Sequence, residues 1–187
     1  FLRLNLDTGM ELINKAIGFL QHTGHKQVMV EAKLRQATFY WWTMDYDATI
    51  QACQDVLDLG KAVDSPKPNL IEFLFFARHT TSYSYYAKGN AKKALRHAKE
   101  TYDHYFHKIS IFNRMRSFNM LANVNLLAAN FKACEEYSEQ GLEIARNLEN
   151  SFMTQILLLS LSKSETFQGH LDEALVHASE ALLLGEE

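Results

Sequence analysis

The sequence has few of the residues that interrupt regular structure. Among 187 residues there are two prolines and eight glycines, and both prolines, Pro66 and Pro68, fall in one short segment. Hairpins and flexible linkers are rich in these residue types. The composition therefore leaves few residues for hairpins or flexible linkers, while an apolar fraction of 47% is enough for a continuous core.

The sequence also lacks a strong net charge and a long apolar run. The formal net charge is −3, so the overall charge composition indicates no basic surface for binding nucleic acid. The apolar run from Ile156 to Leu159 is short, whereas a bilayer span needs about 20 residues. No signal peptide is visible, because Phe1 already lies in a helical pattern. We expect no direct contact with nucleic acid, no membrane insertion and a cytoplasmic location.

Sequence motifs of catalysis are missing as well. There is no glycine-rich phosphate loop, no Cys-x-x-Cys pair, no His-Glu-x-x-His and no nucleophile elbow. The strongest metal-ligand candidates are His97, Glu100, His104 and His107, which share one helical face, but a single helix offers a metal only two adjacent ligands. A solvated helix edge is the favoured interpretation. We therefore predict a protein without enzymatic activity, metal or cofactor.

What is present is an internal repeat. Gly89, Ala94, Leu95 and Ala98 in GNAKKALRHA return 80 residues later in GHLDEALVHA, and a related segment, NFKACEEYSEQGL, lies halfway between them. Self-similarity at a period of about 20 to 50 residues is typical of stacked repeats, in which each repeat covers its apolar face with its neighbours. The period here is 40 residues.

Apolar and small residues recur at helical spacing, in segments separated by short polar turns. The pattern predicts four and a half antiparallel helix pairs, with turns too short for any other packing. The longer joint runs from Lys61 to Asn69 and contains both prolines, so we expect an irregular loop there. The predicted helices are 7–22, 26–43, 46–61, 69–88, 91–108, 111–128, 131–147, 151–168 and 171–184.

Over nearly the whole chain the repeat resembles the tetratricopeptide repeat (TPR). The period exceeds the standard 34 residues, and the usual closing proline is missing, which resembles the extended repeats of bacterial signalling proteins and transcription regulators. The residues that carry the resemblance, repeat by repeat, are Ala37, Tyr40, Thr49 and Cys53; Arg78, Thr81, Ser82, Tyr85, Gly89, Ala94 and Ala98; Phe118, Leu121, Ala122, Cys134, Ser138 and Gly141; and Leu158, Leu161, Ser162, Gly169, Ala174, Ala178 and Ala181.

The resemblance implies an all-α fold, a right-handed solenoid of antiparallel helix pairs (a TPR-like superhelix) with about four and a half repeats in a single array over residues 1–187. Leu95, Leu175 and Leu182 are expected to fill the gaps between repeats. Cys53 and Cys134 are expected to be buried thiols on the order of 20 Å apart, rather than a redox pair. The chain has no initiating Met and ends within a helical pattern, so we expect a fragment of a longer protein.

The resemblance also implies that the first helix of each repeat lines a concave groove. Asn119 and Asn123 could grip an extended peptide backbone, and Arg116 with Lys163 could hold a carboxylate. Adjacent aromatics point about 100° apart on a helix, so some are expected at the surface, although they could simply be core. The candidate peptide-binding residues are Trp41, Trp42, His79, Tyr83, Tyr86, Arg116, Asn119, Asn123 and Lys163, and the groove would also contain Leu34, Thr38, Phe76, Met120, Leu159 and Phe167.

These features together predict a module that binds a protein or peptide in the groove. A first alternative is the regulatory sensor arm of a multidomain transcription regulator or signalling protein, which would contact other domains of the same chain and take a peptide or small molecule as effector. A second alternative is a scaffold that self-associates into an oligomer. The sequence leaves the choice among them open.

Overall fold

The computed structural model describes the backbone of residues 2–185 and the side chains of residues 8–185. Within this part of the chain, all regular structure is helical. The predicted helices are confirmed, although the first begins at Leu2 and the fifth ends at Tyr105, before a short 3₁₀ turn over Phe106–Lys108. The α-helices are α1 (Leu2–Leu20), α2 (Lys26–Trp42), α3 (Tyr46–Lys61), α4 (Leu70–Ala87), α5 (Ala91–Tyr105), α6 (Ile111–Leu127), α7 (Phe131–Asn147), α8 (Ser151–Gln168) and α9 (Leu171–Leu184).

Two compact units divide the chain, unit 1 ending at Lys88 and unit 2 beginning at Gly89. In unit 1 each of the helices α1 to α4 packs against the next, and α2 also contacts α4. In unit 2 the helices α5 to α9 pack in the same sequential way, and α6 also contacts α8. Each unit therefore has a layer of first helices, which are the even-numbered ones, packed on a layer of second helices.

Each unit also has its own apolar core. In unit 1 the fully buried residues include Val30, Cys53 and Val56. In unit 2 they include Met115 and Leu157. Burial of this kind contributes on the order of 1.5–3 kcal/mol for each large apolar side chain, so the packing between successive helices is the main stabilising contribution.

Burial repeats with the predicted period. The small residues Ala94, Cys134 and Ala174, which are 40 residues apart, are all buried between helices. On the first helices of unit 2, most of the buried positions of α6 match those of α8 at the same offset, as Phe118 matches Leu158. The equivalence of residues 40 apart is therefore a property of the fold as well as of the sequence.

The turn from each first helix to its second helix is held by one left-handed residue. These residues are Met44, Gly89, Ala129 and Gly169, with φ of 59°, 69°, 56° and 83°. Only glycine adopts such a φ without steric cost. The same turn position is therefore strained in two of the four turns and unstrained in the other two.

Two predicted gap-filling leucines are exposed in the structure. Leu175 and Leu182 on α9 are 67% and 65% exposed, whereas Leu95 on α5 is half-buried. The equivalent face of α7 is covered by α8. On α9, no described helix packs on the face that carries these two leucines, so they are exposed. The prediction that these two leucines fill a gap is wrong for the described residues.

Candidate functional site

A chain of aromatic rings in contact extends over the first helices of unit 1 and the start of α3. The ring of Tyr83 is 6.3 Å from that of Trp41, 4.9 Å from that of His79 and 6.0 Å from that of Tyr86, measured between centroids. Trp41 also contacts Tyr46, with centroids 5.3 Å apart. These five residues, called the aromatic cluster below, meet at the tilted and edge-to-face angles that aromatic pairs prefer.

Helical spacing explains why α4 presents three of these rings together. His79, Tyr83 and Tyr86 follow one another at intervals of four and three residues and so share one stripe of the helix. The opposite stripe, with Ala77 and Thr81, is buried in unit 1. The rings therefore sit on the face of α4 that points away from α3, next to the end of α2.

The two tryptophans differ in environment, as their adjacency requires. Trp41 is half-buried within the aromatic cluster, while Trp42 is 67% exposed and takes no part in its ring contacts. All five cluster residues are half-buried, so each ring is fixed by its neighbours and still reaches solvent. Fixed aromatic rings at a surface are the side chains that most often anchor a bound chain.

In unit 2 the corresponding face of α6 is polar. The Asn123 side-chain amide donates to the backbone carbonyl and to the side-chain oxygen of Asn119, both at 2.8 Å. The guanidinium carbon of Arg116 lies 4.6 Å from the centre of the Phe112 ring, a cation–π distance. Met120, which was expected to face the groove with these residues, is fully buried instead.

Arg116 on α6 and Lys163 on α8 occupy different levels of their helices. The 40-residue equivalence places Lys163 on α8 at the level of Asn123, about 10 Å along the helix from Arg116. Arg116 stacks on Phe112, one turn further towards the start of α6. Lys163 is exposed on α8, and the holding of one carboxylate by both cations stays a prediction.

Both cysteines are buried free thiols, as predicted. Burial raises the pKa of the Cys53 thiol to about 12 and that of the Cys134 thiol to about 11. Since the thiolate is the reactive form, neither thiol is activated for nucleophilic or redox chemistry at neutral pH. Among the residues that the structure describes, no three His, Cys, Asp or Glu side chains are arranged to hold a metal ion.

Sequence reasoning missed two polar features. Glu165 is buried on α8, and its Oε2 lies 2.9 Å from Nδ1 of His177 on α9. In unit 1, a cavity of about 410 Å³ lies between the start of α2 and the loop before α4, and Gln27 and Phe73 are among its lining residues. The position of Glu165 within an apolar stripe of α8 could have indicated its burial. The cavity could not be predicted, because it depends on the conformation of a loop.

None of the described helices combines the length and the apolarity needed to cross a bilayer.

No protein-family model and no curated protein matches the chain. Solved structures do match, and they identify the fold as that of TPR-like helical repeats.

One matching structure is the apo form of RapI, with a TM-score of 0.76 and 13% sequence identity over 98% of this chain. Another is a kinesin light chain from Podosopora anserina with nearly identical TPR-like repeats, with a TM-score of 0.72 and 14% identity, again over 98% of this chain. This chain covers 50% of RapI and 89% of the second protein. At such low identity the similarity establishes the fold alone.

Proposed function

We propose that this protein is a non-enzymatic module that binds a peptide segment of a partner protein on the aromatic cluster of unit 1. The observation that carries the proposal is the continuous contact of Trp41, Tyr83, His79 and Tyr86 on two neighbouring first helices. Because their rings hold one another in place, little side-chain entropy is lost when a ligand packs on them. A preformed surface of this kind favours binding.

The chemistry of these side chains suggests how a peptide is held. Ring faces of Trp41 and Tyr83 bury apolar side chains of the ligand, and a tyrosine hydroxyl can both donate to and accept from its backbone. The His79 ring packs against that of Tyr83, with centroids 4.9 Å apart, and holds it in place. The ligand that fits best is therefore a short segment with one or two large apolar residues and no requirement for charge.

The polar face of unit 2 supports a separate and weaker proposal. Lys163 is exposed at the level of Asn123, so these two residues, without Arg116, form the pair that would meet an acidic or carboxylate-ended chain. Asn119 supports the pair through the hydrogen bonds that it accepts from Asn123. An exposed cation contributes mainly to association rate and to salt dependence, so Lys163→Ala should weaken binding of an acidic peptide chiefly at low salt.

A peptide-array screen followed by titration tests the main proposal. Removing a buried aromatic anchor costs about 2 kcal/mol or more, so Trp41→Ala and Tyr83→Ala should each weaken the selected peptide at least about tenfold. Trp42→Ala is the matched control, because it removes the same side chain at the adjacent, exposed position. It should change the affinity by less than about threefold.

Circular dichroism of all three variants should show unchanged helical content, which separates loss of binding from loss of structure. Equal binding by the parent and Trp41→Ala would refute the aromatic cluster as the site. The same conclusion follows if Trp42→Ala weakens the peptide as strongly as Trp41→Ala does. In either case the peptide would bind at a site other than the aromatic cluster.

A further inference from the structure

The cavity in unit 1 has the size of a small-ligand site. It lies between the start of α2 and the loop that leads into α4, has a volume of about 410 Å³ and is called the loop cavity below. Ligand pockets in proteins range from about 300 to 1,000 Å³. At roughly 30 Å³ for each water-sized group, the loop cavity has room for about a dozen non-hydrogen atoms.

Polar contacts hold the two walls of the loop cavity in place. The Gln27 side chain on α2 accepts from the backbone N–H of Lys67 at 2.8 Å and donates to Asn69 Oδ1 at 2.7 Å. Nζ of Lys26, also on α2, lies 3.0 Å from a carboxylate oxygen of Asp64 in the loop. The cavity is therefore preformed, which lowers the entropic cost of binding a ligand.

The backbone N–H of Lys67 determines which amide atoms are left for a ligand. A backbone N–H can only donate, so the Gln27 atom that it meets is the side-chain oxygen, and the other end of that amide is its NH₂ group. Gln27 therefore donates to Asn69, and the Asn69 atom that faces it is the oxygen. The Nδ2 group of Asn69 remains as a donor, and no described residue accepts a hydrogen bond from it.

The charge at the loop cavity that no neighbour balances is positive. Both carboxylates among its lining residues already face a cation, since Asp64 lies 3.0 Å from Lys26 and Glu31 lies 3.5 Å from Arg35. The Lys67 side chain also lines the cavity and is paired with neither carboxylate. The polar groups left for a ligand thus include an ammonium and an amide donor, which suit an anion.

The loop cavity also has an apolar side. Val28, Val63 and Phe73 are among its lining residues. Val63 and Phe73 pack against the core of unit 1, so their positions are fixed by the fold. A ligand that fills the cavity must therefore cover apolar surface as well as meet the donors.

We propose that the loop cavity binds a small carboxylate with an apolar body. The carboxylate accepts from Lys67 and from Nδ2 of Asn69, and the apolar body packs on Phe73. The site is separate from the aromatic cluster, because Gln27 lies about 20 Å along α2 from Trp41. The proposal therefore does not depend on the proposed function.

Three small probes that differ in one feature each test the ligand class. Phenylacetate has both the carboxylate and the ring, phenylacetamide lacks the charge, and acetate lacks the ring. In a proton–nitrogen NMR titration of the 187-residue chain, phenylacetate should shift the backbone amide signals of Val28, Ser65 and Lys67, with a dissociation constant of about 1 mM or lower. Phenylacetamide and acetate should each bind at least about fivefold more weakly.

Asn69→Asp tests the donor directly. It replaces Nδ2 by a carboxylate oxygen and keeps the oxygen that accepts from Gln27, and the Asn69 side chain makes no capping hydrogen bond that the change would remove. A carboxylate in place of the donor repels the ligand, so phenylacetate should bind at least about tenfold more weakly.

Lys67→Met and Lys61→Met form a matched pair. Lys67→Met removes the ammonium and keeps the backbone N–H that contacts Gln27, so it should weaken phenylacetate about threefold or more. Lys61 is also exposed and lies six residues earlier, outside the cavity lining. Lys61→Met should therefore leave the affinity within about 1.5-fold of the parent.

Absence of shifts at Val28, Ser65 and Lys67 with phenylacetate at about 10 mM would overturn the proposal. Equal affinity for phenylacetate and phenylacetamide, or equal binding by the parent and Asn69→Asp, would overturn it too, because the donors would then not contact the ligand. The peptide titration keeps this test separate from the proposed function. Asn69→Asp should bind an aromatic-cluster peptide as tightly as the parent does.

Discussion

At the residue scale, Ala129 has a strained backbone conformation that two of its repeat equivalents avoid because they are glycines. Its φ of 56° lies in the left-handed region, where Gly89 and Gly169 occupy the same turn position. A left-handed conformation costs a residue with a Cβ atom about 1–2 kcal/mol, and glycine loses part of that gain through greater freedom when unfolded. We expect Ala129→Gly to raise the free energy of unfolding by up to about 1 kcal/mol, measured by urea denaturation.

Gly169→Ala is the control for this prediction, because it makes the reverse substitution at the equivalent turn position. A Cβ atom at Gly169 would meet nothing within 4 Å, so any loss of stability comes from the backbone and not from a clash. The expected change is a decrease of about 1 kcal/mol. If Ala129→Gly destabilised the protein while Gly169→Ala had no effect, the φ of this turn position would not control its stability.

The candidate site shows how far single residues can be predicted. Adjacent tryptophans must face different directions, so the sequence indicates that Trp41 and Trp42 have different environments. It cannot tell which of them joins Tyr83, because that depends on how α2 packs against α4. Similarly, the sequence pairs Arg116 with Lys163 by charge, but it does not show that the guanidinium of Arg116 stacks on Phe112.

At the scale of elements, most helix boundaries could be predicted because local residues fix them. Asp45 and Asn90 accept hydrogen bonds from the backbone N–H groups of Ala48 and Lys93 and so cap α3 and α5. The end of α5 was missed because no glycine or proline marks it. It is set by Ile109, which is extended and buried at 4% exposure, a tertiary contact that the local sequence does not show.

Gln27 holds the proline-containing loop against the start of α2. Its side chain donates to Asn69 Oδ1 at 2.7 Å and accepts from the backbone N–H of Lys67 at 2.8 Å. A hydrogen bond contributes about 0.5–1.5 kcal/mol, and less where water competes. We expect Gln27→Ala to lower the free energy of unfolding by about 1 kcal/mol and to accelerate amide hydrogen exchange at Lys67 more than elsewhere.

Gln51→Ala is a suitable control for that loop. The Gln51 side chain donates to Asp55 within α3, far along the chain from the loop, so its loss should leave exchange at Lys67 unchanged. The salt bridge between Lys26 and Asp64, 3.0 Å long, also joins α2 to the loop, but its aspartate is 88% exposed, and such surface pairs contribute little. Unaltered exchange at Lys67 in Gln27→Ala would show that the loop is held by other contacts.

At the scale of the whole molecule, the repeat period made the fold predictable. Small residues 40 apart, such as Ala94 and Cys134, predict close helix packing wherever they recur, and their burial confirms it. What the period cannot predict is which repeat faces stay uncovered. Leu182 has the same pattern as the buried Leu142, and the two differ only in whether a described helix packs on them.

The separate cores of the two units lead to a final prediction about folding. All the residues of the unit 2 core, including Met115 and Leu157, lie after Gly89. In repeat proteins, stability is approximately a sum over neighbouring contacts, so a fragment of residues 89–187 should fold without the preceding helices. We expect it to be helical and to unfold in one cooperative urea transition, measured by circular dichroism.

A shorter fragment, residues 111–187, is the control, because it removes α5 and with it the rings of Tyr102 and Phe106. These rings lie 5.9 Å and 5.1 Å from that of Phe118, which is buried on α6. Exposing Phe118 and the adjoining apolar surface should cost the shorter fragment on the order of 3 kcal/mol. Its transition should therefore move to lower urea. If the 89–187 fragment itself lost its cooperative transition while the full chain kept one, unit 2 would depend on residues before Gly89, and stability would not be a sum of contacts within each unit.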